Sequence, residues 1–185
     1  MIINRIWSMP SRWTFSVRPI RALIERYIPP NGAMIIDPFV GQSPFADRCT
    51  WTNDLDSDHK ATHHVEALEF LRTFGDDSVD FCFFDPPFSP RQIAECYKNV
   101  GLAVHMKDTQ KGFYTERKTE VSRIMKPGGI VISCGWNSQG IGKKNGFSII
   151  EILMVPHGAG ANDTIVTVER ATNGGYVAVS GREDK

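Results

Sequence analysis

The sequence predicts an α/β fold: a mostly parallel sheet of seven strands, helices on both faces, and an antiparallel hairpin at the C-terminal end. Three observations carry this expectation. Short β-rich runs alternate with stretches of helical spacing. One run, Val79-Asp80-Phe81-Cys82-Phe83-Phe84, is apolar almost without interruption, the pattern of a parallel strand covered on both faces. Acids also recur where successive runs end, at Asp37, Asp54 and Glu66, so that a parallel sheet would gather them along one edge.

The elements follow in order. Apolar positions at Ile20, Leu23, Ile24 and Tyr27 give residues 19–27 a helical repeat, which Pro29-Pro30-Asn31-Gly32 stops. Residues 33–37 read as a buried strand ending in Asp37, then a Gly/Ser/Pro turn and a short helix over 44–48. Residues 49–53 form a second strand, closed by Asp54-Leu55-Asp56. A third, shorter strand ends near His64 or Val65, followed by an amphipathic turn through Leu68 and Leu71. The fourth strand is 79–84. Residues 89–118 are the least regular, with a helix around 93–100 and a polar, aromatic-bearing loop over 106–114. Residues 119–125 read as a helix stopped by Pro127-Gly128-Gly129, and 130–134 as the fifth strand. Residues 147–155 and 164–170 form the hairpin. This makes one domain over 1–170 and a flexible tail over 171–185.

Composition narrows the class. The 185 residues suit one domain with a proper core, and no run is long and apolar enough to span a bilayer. No export signal is visible near the start, so the expected location is cytoplasmic. Lys plus Arg and Asp plus Glu both total 21, which argues against a strong, autonomous nucleic-acid binder. A basic face could still form from Arg18, Arg21 and Arg26, or from Lys107, Lys111, Arg117, Lys118, Arg123 and Lys126. Cys49, Cys82, Cys96 and Cys134 show no zinc-like spacing and read as reduced, packed thiols. The adjacent His63 and His64 read as a solvated turn, and no metal is expected.

Two short segments carry the chemistry. Asp37-Pro38-Phe39-Val40-Gly41-Gln42-Ser43 is an acid at a strand end followed by a glycine turn, the way α/β sheets build nucleotide sites. No GxGxxG or GK[ST] is present, so nothing cradles a pyrophosphate. Asp54, 17 residues after Asp37, is placed to accept the hydroxyls of a ribose, and Glu66 to meet an adenine amino group. Asp85-Pro86-Pro87-Phe88 ends the fourth strand. Its two prolines remove two amide donors and stiffen the backbone, Asp85 adds an acceptor, and Phe88 adds a flat apolar face. Acceptors beside an aromatic ring suit an exocyclic amino group in the plane of a stacked base.

These segments resemble the S-adenosylmethionine-dependent amino-methyltransferases that make N6-methyladenine or N4-methylcytosine. Asp37 to Gly41 is similar to that family's cofactor motif DPFxGxG, and Asp85 to Phe88 to its catalytic (D/N/S)PP(Y/F/W). Thr14-Phe15 resembles the segment that packs under the methionine end of the cofactor. Arg123 to Gly129 resembles a helix-to-strand turn of the wider class I, Rossmann-like methyltransferase fold. The resemblance implies S-adenosyl-L-methionine as cofactor and DNA, ahead of RNA, as partner. Asp85, Pro86, Pro87 and Phe88 become the catalytic residues. Thr14, Phe15, Asp37, Pro38, Phe39, Gly41, Ser43, Asp54 and Glu66 become the cofactor residues. Adenine N6 is the first expectation for the target. The alternatives are cytosine N4, a small RNA base methyltransferase, and a non-catalytic subunit that binds nucleic acid or a partner. Ser43 and Pro44 stand where the family usually has Gly-Thr. No target-recognition domain is visible, which points to the 89–118 segment, a homodimer or a separate subunit as the source of specificity.

Overall fold

The computed structural model describes residues 1–103, 111–158 and 160–172; the expected tail lies outside them from residue 173 onward, as does most of the expected 106–114 loop. Strands are β1 (Ile2–Arg5), β2 (Ile35–Asp37), β3 (Trp51–Thr52), β4 (Val79–Phe84), β5 (Met125–Gly135), β6 (Phe147–Val155) and β7 (Thr164–Ala171). Helices are α1 (Arg18–Tyr27), α2 (Ala67–Arg72), α3 (Pro90–Asn99) and α4 (Lys111–Ile124). The strands form one seven-stranded sheet ordered β1-β6-β7-β5-β4-β2-β3. Every pairing is parallel except the two that β7 makes, with β5 and β6. The predicted fold class and the hairpin are therefore present.

β4 explains why the sheet is buried in its middle. Phe81 and Phe83 point to one face, where they pack with Ile20, Leu23 and Ile24 of α1 and with Leu153 and Val155 of β6. Cys82 and Phe84 point to the other, among Phe70 and Leu71 of α2 and Val121 and Ile124 of α4. Phe81 and Phe83 have no exposed surface, and burying each such ring stabilises the fold by about 1.5–3 kcal/mol. Pro19 at the start of α1 and the Pro29-Pro30 pair after it set that helix's limits.

Three expectations need correction. The predicted third strand contributes only a single bridge, Asn53 to His63. Its extension is blocked because the Asn53 side chain takes both the N–H and the carbonyl of Val65, and the chain then turns into α2, which Glu66 caps. His63 is accordingly packed between Trp51 and Phe70 rather than in a solvated turn. The seventh strand is instead β1, beside β6. It escaped notice because Ile2 and Ile3 are both more than half exposed and show no alternation. Finally, residues 111–118 are helical: α4 begins at Lys111, with Phe113, Arg117, Val121 and Ile124 buried at helical spacing. The charged residues between them had hidden that repeat.

Candidate active site

β2 pairs in parallel with both β3 and β4, so the C-terminal ends of all three lie together. Asp37 ends β2 with no exposed surface; its Oδ1 accepts the Phe39 N–H at 3.0 Å. The turn that follows is laced to the end of β3: Val40 N–H donates to the Asn53 carbonyl at 3.0 Å, and Gly41 N–H to Asp54 Oδ2 at 2.8 Å. Asp54 Oδ1 also accepts the Asp56 N–H at 2.9 Å. Asn53, which sequence reasoning passed over, is the clamp of this edge: its amide donates to the Pro38 and Val65 carbonyls and accepts the Val65 N–H. Gly41 has a φ of +47°, and a β-carbon there would lie 2.7 Å from the Trp13 ring. Conformation and space both demand glycine.

Trp13 and His59 were also missed. The Trp13 ring lies across the glycine turn and meets His59 edge-on at 5.4 Å. His59 Nδ1 sits 3.1 Å from Asp54 Oδ2. Phe15 is buried against Phe83 at 5.0 Å, which anchors the short turn that brings Thr14 to Asp85. Ser43 Oγ accepts the Phe45 N–H at 3.2 Å and shapes the loop where Pro44 follows.

The Asp85-Pro86-Pro87-Phe88 turn is held from three directions. Thr14 hydrogen-bonds the Asp85 carboxylate. Tyr114 of α4 donates its hydroxyl to the Pro87 carbonyl at 2.6 Å. Phe88 N–H donates to Gln92 Oε1 at 2.7 Å, and Ser89 caps α3 through Gln92 N–H. Among the described residues none donates to the Pro86 carbonyl. Asp85 Oδ1 is buried without a partner, and so is Asp37 Oδ2. Burial pushes Asp85 up to about 7 despite the Thr14 hydrogen bond. Burial, together with the charges of Asp85 and Asp54, pushes Asp37 to about 8 against the pull of the Phe39 N–H.

Every predicted site residue except Asp37 lines one cavity of about 420 Å³; Asp37 lies buried beneath it. This volume is within the range of small-molecule sites. Glu66 lines the cavity too, with its carboxylate committed on several sides: Leu68 N–H at 2.8 Å, Tyr97 hydroxyl at 2.8 Å, and the buried Arg117, whose guanidinium covers the Phe113 ring. Among the described residues, no group of His, Cys, Asp and Glu is placed to hold a metal.

Three members of the expected basic stretch are taken up in ion pairs. Arg117 pairs with Glu66, Arg123 with Asp76 and Glu120, and Lys126 with Asp80; Lys107 lies outside the described residues. No helix among the described residues is long and apolar enough to cross a membrane.

No protein-family model matches the sequence, and no curated protein matches it significantly. Solved structures do match. TrmN from Thermus thermophilus superposes with a TM-score of 0.56 at 16% identity, over 84% of this chain and 49% of TrmN, so the chain spans about half of that protein. The 1,6-didemethyltoxoflavin-N1-methyltransferase of Burkholderia thailandensis, solved with 1,6-didemethyltoxoflavin and S-adenosylhomocysteine, gives 0.52 at 11% identity, over 84% of this chain and 76% of that one. The [4+2]-cyclase SpnF gives 0.50 at 13% identity, over 94% and 88%. A cyclase among these neighbours shows that the architecture alone does not name a reaction. The chain has the Rossmann-like fold shared by these structures.

Proposed function

We propose that this chain is an S-adenosyl-L-methionine-dependent methyltransferase acting on an exocyclic amino group of a nucleobase, adenine N6 in DNA first among them. The carrying observation is Asp85, a buried carboxylate with an unpartnered oxygen that lines the cavity together with its own Pro-Pro-Phe turn; a second such carboxylate, Asp37, is buried directly before the cavity-lining Pro38 and Phe39. The residues present suit the cofactor. Asp37 Oδ2 and Asp54 supply acceptors for its ammonium and ribose hydroxyls, Gly41 lets the Trp13 ring close over the turn, and the Thr14-Phe15 turn closes the methionine end. When bound, that group supplies an electrophilic methyl carbon.

The chain's own residues do the rest. Asp85 Oδ1 and the Pro86 carbonyl accept the two amino hydrogens, which turns the nitrogen lone pair out of the base plane. Tyr114 occupies the Pro87 carbonyl, so the turn offers two acceptors for two hydrogens. Phe88 stacks on the base. The gain comes from alignment and from acceptors already fixed where charge develops on nitrogen. The Asp85 carboxylate, held near 7, is suited to take the proton released after transfer. The resemblance of the two motifs to the DNA amino-methyltransferases supports DNA and adenine. Labelled methyl transfer, offered duplex DNA, single-stranded DNA and total RNA in parallel, tests the reading. N6-methyladenine recovered from DNA is the expected product, and label found only in RNA or in no polynucleotide would overturn the assignment.

A further inference from the structure

Trp136 follows β5 directly, and β5 neighbours β4, whose end carries the Pro-Pro-Phe turn. Its ring centroid lies 6.0 Å from that of Phe88, with the planes inclined at 69°. The indole is 45% exposed and belongs to none of the buried clusters. It is nevertheless held in place. The loop it heads is strapped to the sheet by Glu169 of β7, whose carboxylate accepts the Ile141 N–H at 2.6 Å and the Gly142 N–H at 2.9 Å. Gly140 packs on the same carboxylate with no room for a β-carbon, and Asn137 Oδ1 accepts the Gln139 N–H at 3.0 Å. A large aromatic left in solvent on a pinned loop beside a candidate catalytic turn has the properties of a preformed stacking surface.

The chain brings no overall basic surplus to this site. The net charge is zero, Arg117 is tied up with Glu66, and Arg12, which lines the cavity, lies over the Trp13 ring. Proteins that take bases from single strands rely on stacking against aromatic side chains, which tolerates any sequence. Extruding a base from a duplex costs a few kcal/mol, which phosphate contacts would have to offset. Resting on the methyltransferase reading above, we infer that Trp136 and Phe88 form a two-walled aromatic corner that holds the target base by stacking, and that the substrate is an unpaired base in a single strand.

Steady-state transfer is measured for the wild type, Trp136→Ala and Trp136→Phe, on a single-stranded oligonucleotide and on its duplex. The wild type is expected to show the lower KM on the single strand. Trp136→Ala raises that KM about tenfold, the loss of one base–aromatic stack, while the KM for S-adenosylmethionine stays unchanged. Trp136→Phe restores most of the loss. The single strand quenches wild-type tryptophan emission, and Trp136→Phe loses that quench while keeping activity, which a merely structural role would not produce. An unchanged oligonucleotide KM in Trp136→Ala, or a duplex used as well as the single strand, overturns this inference and leaves the methyltransferase reading standing. Failure of the wild type to methylate any polynucleotide overturns both.

Discussion

The sheet carries buried carboxylates in two places, and they differ in how far they are satisfied. On the β6–β7 side, Glu151 and Glu169 have no exposed surface. Glu151 accepts from Asn4 at 3.0 Å, Arg26 at 2.7 Å and the Tyr27 hydroxyl at 2.7 Å, which hold it below the usual glutamate range against desolvation. Glu169 is raised by burial, yet both its oxygens hold backbone N–H groups. At the β2–β4 edge, Asp37 and Asp85 each keep a buried oxygen without a partner. An unpaired buried acceptor is costly, a cost that the proposed cofactor and base would offset. Among these four buried carboxylates burial alone is therefore no distinction; unused hydrogen-bonding capacity separates Asp37 and Asp85 from Glu151 and Glu169.

The comparison breaks most sharply at Asp85. Asp85→Ala is expected to lower turnover by about 10²–10³-fold, the usual loss when one fixed partner of a developing charge is removed. Cofactor affinity, read by calorimetric titration, should be nearly unchanged. Glu151→Ala should do the reverse. It removes the acceptor that ties α1 and β1 to β6 and should lower unfolding stability by about 1.5–3 kcal/mol in denaturant titration, with turnover per folded molecule retained. A large loss of turnover in Glu151→Ala at intact folding would erase the distinction.

The smallest effect is in pH. Asp37 and Asp85 are raised to about 8 and about 7 from an ordinary value of 3.8. The folded chain therefore binds more protons than the unfolded one between roughly pH 4 and pH 8, and stability falls as pH rises through that window. Glu169, also raised, adds the same sign. Melting of the ligand-free protein should thus occur at a higher temperature at pH 6 than at pH 8, and Asp85→Asn should flatten the difference. A slope of equal size in Asp85→Asn would mean that burial does not raise Asp85 as described. Turnover should rise with pH through about 7, because the ionised Asp85 is the acceptor.

The central architecture was legible in the sequence because it is written in local patterns. β4 announces itself through a continuous apolar run, α1 through Ile20, Leu23 and Ile24, and the two motifs through prolines and glycines whose backbone demands are strict. What escaped depends on contacts between distant segments. Asn53 clamps the edge through Pro38 and Val65, Trp13 covers Gly41, and Tyr114 reaches Pro87 across 27 residues of chain. No spacing rule encodes those pairings. In the expected basic stretch, the pairing of Arg117, Arg123 and Lys126 was hidden for the same reason, since Glu66, Asp76 and Asp80 come from other parts of the chain. β1 was missed because an edge strand with both isoleucines exposed leaves no alternation to read.

The most direct test is single-turnover methyl transfer from labelled S-adenosylmethionine to a DNA oligonucleotide, run side by side with the wild type, Asp85→Ala and Glu151→Ala, with the product nucleosides separated. The account predicts N6-methyladenine from the wild type and from folded Glu151→Ala, and almost none from Asp85→Ala. Label transferred at the wild-type rate by Asp85→Ala would contradict it.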